Sequence, residues 1–501
     1  MTAQLTDLHD SVVPKVREFL SRPKKLFIGG QWIDAASGRS FETIDPATGR
    51  VLTTAAWGEA EDIDRAVKAA RTAYEGEWSL WTPAQRQRLL FQISEKIYER
   101  AEELAQLEAL DNGKSVGVAQ AVDVTCTAEL FAYYAGWATK IEGRTIPVSV
   151  PWAPGTTWHA YTLRESVGVC GAIVPWNFPL LMAAFKIPAA LACGNVVVLK
   201  PAEQTPLSAL LLAEIMAEAG LPDGAFNVVT GYGDAGAALA SHMDVDKIAF
   251  TGSTEVGKLV VDAAKGNLKK VSLELGGKSP QIVFADADLS TAIPGTASGF
   301  LFNHGQACTA GSRLLVEDSI FDEFTQGVAE VAKASRIGHG FDPEAEVGPL
   351  ISEEQLTRVT GYIDAGLRDG ARALSGGGRH GTDGFYVEPT VLVDVKDDFS
   401  VYREEIFGPV VVATPFNAER GVITQANDTP FGLAASVWTQ DISKAHRTAR
   451  QIKAGSVWIN SHNAFDAALP FGGYKQSGWG RELGEGAIDE YTQTKTVNVA
   501  L

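Results

Sequence analysis

Cysteine is scarce in this chain. There are four, Cys126, Cys170, Cys193 and Cys308, far apart and without a CxxC pair. That excludes a disulfide framework and a zinc pattern, and it implies a reducing compartment, most simply the cytoplasm. The eight histidines are scattered, and no His/Cys/Asp cluster has ligand spacing, so no metal is expected. Basic charge is short as well: 43 Lys and Arg face 61 Asp and Glu, a formal net charge of −18. That balance argues against a nucleic acid or an anionic membrane as partner. No stretch reaches the ~18 apolar residues of a membrane span. The first twenty residues mix charged and apolar side chains without an apolar core or cleavage-like site, unlike a secretory signal. Internal repeats and low-complexity segments are absent too.

What is present is length and glycine. At 501 residues the chain is too long for one simple core, so two or three domains are expected. Its 50 glycines suit many tight turns and a backbone that comes close to a ligand. Val12, Val13, Val16, Phe19 and Leu20 fit a short amphipathic helix. From Leu26, LFIGGQWIDAASGRSFETIDPATG reads as short strands broken by Gly turns. Helical periodicity follows from Glu59 to about Lys140, with Thr82 and Pro83 as a clean helix start. Glu142 to Glu165 then turns rich in Pro, Thr and aromatics. It reads as two extended strands around a PWAPGT turn. An exposed hairpin so rich in Val, Ile, Trp and Tyr is an aggregation hazard unless another chain covers it, so an oligomerisation arm is favoured over a plain surface loop.

From Val167 apolar strands alternate with helices: VGVCGAIVPW, NVVVLKP, FNVVTG, KIAFTG and KVSLELGG, with helices from about Pro179, Leu207, Gly233 and Thr254. This pattern predicts a doubly wound parallel α/β sheet, whose ligands bind at the carboxyl ends of the strands. A second α/β half follows Leu275, and KTVNVAL at the end reads as an edge strand. The expected division is a cofactor domain over 1–141 and 166–275 and a catalytic domain over 276–482. Residues 142–165 and 483–501 are the oligomerisation elements.

The polar motifs fall at the strand ends. Cys308 sits among small residues in FNHGQACTAGSR. A thiolate there can attack a carbonyl carbon, although a lone Cys is more often a plain core residue. Glu274 ends a strand in LELGGKSP. A carboxylate in apolar surroundings has raised proton affinity and suits a general base; a buried pair with Lys278 is an equal alternative. Asn177 in PWNFP can donate to an oxyanion or simply cap a helix. Lys200 and Glu203 in KPAEQTP put a cation and a ribose-binding carboxylate at a strand end, or form a surface ion pair. FTGSTEVG offers backbone N–H groups at a helix start, suited to a pyrophosphate, although it is neither GxGxxG nor a P-loop. In EEIFGPV, Glu405 can hold a ribose and Phe407 can pack on a nicotinamide, or the stretch is a capped loop.

These motifs, with PFGGYKQSGWGRELG, stand in the order seen in the aldehyde dehydrogenase superfamily, and the chain resembles that family from about Phe27 to Val499. The resemblance implies that Cys308 is the nucleophile, Glu274 the general base, and Asn177 an oxyanion donor together with the Cys308 N–H. Glu482 becomes a second carboxylate and proton exit. Lys200 and Glu203 become adenosine-ribose contacts, with Trp176, Gly252, Ser253 and Gly257 around the pyrophosphate. Gln355, Arg358, Glu405 and Phe407 become contacts to the nicotinamide half; Arg358 stands where many relatives carry Lys. Phe178, Leu181, Met182, Phe185, Phe302, Phe465 and Phe471 fall near the substrate tunnel, which suggests a hydrophobic or aromatic aldehyde. His304 is structural or substrate-lining. NAD is the expected cofactor, ahead of NADP, because Glu203 repels a 2′-phosphate. A homo-oligomer, dimer or tetramer, is expected. A coenzyme-A-acylating relative typically lacks the glutamate at 274, and a recruited structural relative tends to lose the cysteine; Glu274 and Cys308 argue against both.

Overall fold

The computed structural model describes residues 10–417 and 421–501. An eight-stranded sheet organises the first half. Its spatial order is Gly478–Trp479, Lys270–Glu274, Lys247–Thr251, Val169–Ile173, Val196–Lys200, Phe226–Val228, Leu26–Ile28, Gln31–Ile33. The five strands from Lys270–Glu274 to Phe226–Val228 pair in parallel, and the flanking ones pair antiparallel. Val169–Ile173, Val196–Lys200 and Lys247–Thr251 are buried at every residue. That is why they read as continuous apolar runs: helices cover both faces of a parallel sheet. The order reverses between Val169–Ile173 and Lys247–Thr251, which makes a topological switch point. Trp176 and Asn177 follow one of these strands, and Gly252 and Ser253 follow the other.

The predicted helices are present. Thr82 caps Pro83–Glu99 by accepting from Gln85 N, and the Gln85 side chain reaches back to complete a capping box. Leu89, Leu90, Ile93 and Ile97 on that helix are buried. The amphipathic start is also there, as Pro14–Leu20. The run toward Lys140 has one irregularity, a π-helical segment at Ala119–Val124.

A second, seven-stranded sheet carries the other half, in the order Arg372–Ser375, Thr390–Val393, Val410–Phe416, Arg313–Glu317, Pro280–Val283, Ala434–Trp438, Ser456–Ile459. All its pairs are parallel except the first. Cys308 lies in the turn between the helix Leu289–Leu301 and the strand Arg313–Glu317. After Ile459 the chain returns to the first sheet, where Gly478 pairs with Glu274.

The arm differs from the expected hairpin. Its first strand is only Thr145–Ile146, and Trp158–Ser166 finds its long partner in Thr492–Ala500, nine pairs from Thr492↔Ser166 to Ala500↔Trp158. Pro147, Pro151 and Pro154 explain the short first strand, because proline has no N–H for a ladder. The edge-strand reading of KTVNVAL holds, and that strand begins earlier, at Thr492. Ile146, Val148, Leu163 and Val499 are exposed, and Trp152 at the turn is 85% exposed.

Candidate active site

Three turns meet around Cys308. The first is the LELGG turn. A Cβ on Gly277 would lie 2.3 Å from the Cys308 carbonyl oxygen, and one on Gly276 would lie 2.3 Å from Glu405 Oε2. Side chains at either position would push the cysteine turn or the Glu405 carboxylate away. The second turn carries Asn177, whose Nδ2 donates to the Gln306 carbonyl at 2.9 Å. The third is the cysteine turn itself. Asn303, His304 and Gly305 are all left-handed, with φ of 49°, 58° and 70°. Asn303 Nδ2 holds this unusual path by donating to Asn177 O at 2.9 Å and Gln306 O at 3.1 Å. Backbone strain of this kind persists only where its surroundings fix it.

Glu274 is buried, and one carboxyl oxygen has no hydrogen-bond partner. Burial first, then the Glu482 carboxylate, push its pKa up to about 8; Lys186 and a hydrogen bond with the Cys308 thiol offset part of that. The Glu274–Lys278 pair does not form. Lys278 Nζ instead donates to Val401 O at 2.8 Å, because the turn points the two side chains apart. Cys308 is half-buried, and burial together with the Glu274 carboxyl pushes its thiol well above the usual range. The thiol therefore needs a base to ionise it, and Glu274 is beside it.

Asn177 does not cap a helix. The cap position before Pro179–Ala184 is Phe178. One amide hydrogen of Asn177 is used on Gln306 O, which leaves the second for another acceptor. His304 is buried; its Nδ1 accepts from Gly348 N at 2.7 Å, and burial lowers its pKa to about 3. It is a neutral ring that holds the turn.

Glu482 sits on a bridge with Phe471, Phe471 N donating to Glu482 O and Glu482 N to Phe471 O. Its carboxylate pairs with the buried Lys186, whose Nζ also donates to Thr251 Oγ1 at 2.6 Å. Lys186 escaped the sequence reading. A single Lys in the apolar run LLMAAFKIPAALA was the available signal, since a buried ammonium needs a partner.

At the switch-point crevice, Lys200 Nζ lies 3.2 Å from Glu203 Oε2. Lys200 is buried and its pKa is lowered by that burial, so this is not a surface pair. Ser253 caps Thr254–Ala264 by accepting from Val256 N. Gly252 N is taken by Glu274 O. Gly257 lies inside the helix, where a Cβ would meet Leu275 at 2.6 Å, so it serves close packing. Trp176 lies edge-on to Phe407 with ring centroids 5.3 Å apart, which joins the two expected halves of the cofactor wall. Glu405 Oε1 accepts from Gly277 N at 2.8 Å, and burial raises its pKa to about 7. Gln355 and Arg358 donate to the carbonyls of Phe407 and Glu405, at 2.8 and 3.0 Å, so they hold that loop.

The aromatic residues form two groups. Phe178 stacks on Phe302 at 5.8 Å. Phe185, Phe471, Phe465 and Trp458 form a chain of edge-on contacts at 6.0, 5.4 and 5.5 Å. Leu181 and Met182 are buried beside Phe178 and Phe185 in sequence, while Phe465 is 43% exposed, at the outer end. Trp458 was not anticipated; one Trp in a strand reads as core.

The sequence matches the aldehyde dehydrogenase family over residues 32–497. The chain belongs to that family. It is 49% identical to a putative aldehyde dehydrogenase, DhaS, of Bacillus subtilis, across 99% of this chain and 100% of that protein. It is 48% identical to a mitochondrial benzaldehyde dehydrogenase of Antirrhinum majus, across 100% of this chain and 92% of that one. The structure of the Bacillus cereus aldehyde dehydrogenase in its NAD+ complex superposes with a TM-score of 0.95 at 50% identity, covering 98% of this chain and 99% of that chain. An aldehyde dehydrogenase is an oxidoreductase. Among the described residues, no helix is long and apolar enough to cross a membrane.

Proposed function

We propose that this chain oxidises a hydrophobic or aromatic aldehyde to the carboxylic acid, with NAD as oxidant and Cys308 as nucleophile. The observation that carries the reading is the Glu274 carboxyl, held at about 8 beside the Cys308 thiol. Such a group takes a proton near neutral pH and returns it. Cys308 loses its proton to Glu274 and adds to the aldehyde carbon, giving a thiohemiacetal. The second Asn177 amide hydrogen and the Cys308 N–H stabilise the oxyanion. Glu274 passes the Cys308 proton outward along the Glu482–Lys186 pair. Once the carbon is oxidised to the thioester, Glu274 takes a second proton from the attacking water, and the C–S bond breaks to free the acid and the Cys308 thiolate. The same pair accepts this second proton from the buried site.

The residues at the switch-point crevice fit a dinucleotide. Glu203, a partly exposed carboxylate, would hold the ribose hydroxyls, the capped start of Thr254–Ala264 would hold the pyrophosphate, and Trp176, Glu405 and Phe407 would border the nicotinamide half. When bound, NAD supplies the hydride acceptor. The rings from Phe185 to Phe465, with Phe178 and Phe302, form the wall for the aldehyde's apolar end.

The exposed apolar side chains of the Trp158–Ser166 and Thr492–Ala500 sheet suit burial against a second copy, so the enzyme is a homo-oligomer. Its cysteine usage suits the cytoplasm. The test is NADH formation from an aldehyde series, with and without coenzyme A. Turnover that requires coenzyme A would replace hydrolysis by Glu274 with acyl transfer to a thiol.

A further inference from the structure

The loop from Asn460 to Leu469 carries Phe465, and it is tied at three levels. At its root, the Asn460 side chain exchanges hydrogen bonds with Thr439, Oδ1 accepting from Thr439 N and Nδ2 donating to Thr439 O, both at 3.0 Å. In its middle, His462 Nε2 lies 3.0 Å from Thr309 O, and Thr309 Oγ1 donates to Asn463 Oδ1 at 2.7 Å. Near its tip, Trp458 Nε1 donates to Ala464 O at 2.9 Å, while the indole meets His462 at 4.9 Å and Phe465 edge-on at 5.5 Å. Thr309 is the residue after the nucleophile.

The chemistry of each bond fixes its direction. A carbonyl oxygen only accepts, so His462 carries its proton on Nε2 and donates to Thr309. Burial lowers the His462 pKa to about 4, so the ring is neutral and keeps this single N–H. Asn460 and Asn463 are left-handed, with φ of 50° and 58°. Asparagine tolerates that region better than most residues, and here Asn463 also supplies the acceptor that Thr309 needs. The loop is therefore not simply laid against the site. Both polar groups of Thr309 that can reach it are bonded to it.

We propose that Trp458, His462 and Asn463 are positioning residues that lock the outer aromatic wall to Thr309, so that the distance from Phe465 to the Cys308 sulfur is fixed and selects the aldehyde. The consequence for selectivity rests on the aromatic tunnel proposed above; the lock itself does not. A ring held at a fixed distance favours aldehydes whose apolar end spans that distance, and small misplacements of a reacting carbonyl are costly. Acetaldehyde does not reach Phe465, so it senses only the cysteine turn, an effect both aldehydes share and their ratio removes.

Two measurements on the intact enzyme test this. The first is the ratio of kcat/KM for benzaldehyde to that for acetaldehyde. Asn463→Gly removes the acceptor without backbone strain, and Thr309→Val removes the donor. Each lowers the ratio by at least about threefold, and Asn463→Asp and Thr309→Ser, which keep the bond, restore it. An unchanged ratio in a wild type that prefers benzaldehyde overturns the selectivity role. A wild type without that preference overturns the tunnel and with it the selectivity role. The second is the rate of iodoacetamide alkylation of Cys308, read by peptide mass without any aldehyde. Thr309→Val and Asn463→Gly each change it, and the double variant changes it no further than either alone. Additive effects, or none, overturn the lock whatever the aldehyde preference. Thermal unfolding of each variant, with Tm close to wild type, keeps a folding defect out of both readings.

Discussion

The inner and outer ends of the site are built differently. Around Cys308, every contact holds backbone: Gly277 lies against the Cys308 carbonyl, the Asn303 amide against two carbonyls, and the Glu405 carboxylate against Gly277 N–H. Around Phe465, ring meets ring, at centroid distances between 4.9 and 5.5 Å. The inner end leaves no room for an added methyl group. The outer end is partly exposed and is held by side chains. On the proposed reading, chemistry is fixed at one end and choice of substrate is left to the other.

The largest effect should come from the inner end. Cys308→Ser should lower aldehyde turnover by at least about 10⁴-fold, because a hydroxyl is hardly ionised where a thiol already needs a base, while cofactor binding persists. Steady-state NADH formation at the wild-type rate would remove Cys308 from the chemistry. Next, Glu274→Gln should slow turnover by about 10² to 10⁴-fold, with hydrolysis of the thioester more affected than its formation. The same carboxyl sets a pH profile. Only its ionised form is a base, so kcat should rise with pH through about 8 in the wild type and lose that limb in the Gln variant. A pH-independent wild type from 6 to about 9 would mean that another group limits the rate. Stability runs the other way. The folded protein holds this proton more tightly than the unfolded chain, so Glu274 costs stability as pH rises from the ordinary carboxylate range toward 8.

Next in size is the effect at the cofactor crevice. Glu203 should disfavour NADP by like charge and lost ribose hydrogen bonds, a factor of about 5 to 150 in kcat/KM. Glu203→Ser should close most of that gap, and equal use of both cofactors by the wild type would remove Glu203 from the ribose. The smallest effect belongs to the outer ring. Phe465→Ala should reduce the preference for aryl over short aldehydes by about tenfold. If the aldehyde series shows instead a preference for a cationic aldehyde, the ring wall is not the selecting surface.

The same contrast explains what the sequence reveals. The parallel sheet was legible because its strands are buried on both faces, so NVVVLKP and KIAFTG carry no polar alternation, and their polar residues mark strand ends. Cys308, Glu274 and Asn177 were found on their motifs, and the fold brings them together. The loop-holding engagement of Gln355 and Arg358 was not legible, because a side chain's choice between a carbonyl and a ligand depends on the loop's path. Spacing also could not decide between Lys278 and Cys308 as the neighbour of Glu274; the two glycines between Glu274 and Lys278 send that lysine to Val401. Trp458 and Lys186 were missed for the same reason in opposite forms. One is apolar and passes as core, and the other is charged but hidden within an apolar run.

Glu405 has a consequence for the cofactor beyond contact. In the free enzyme its carboxyl is held near 7 by burial and is already engaged by Gly277 N–H. A ribose that donates to this carboxylate favours its charged form, so NAD binding should expel a fraction of a proton around neutral pH. Affinity for NAD should then strengthen as pH rises through about 7, and titration in buffers of different ionisation enthalpy would register that proton as a buffer-dependent heat.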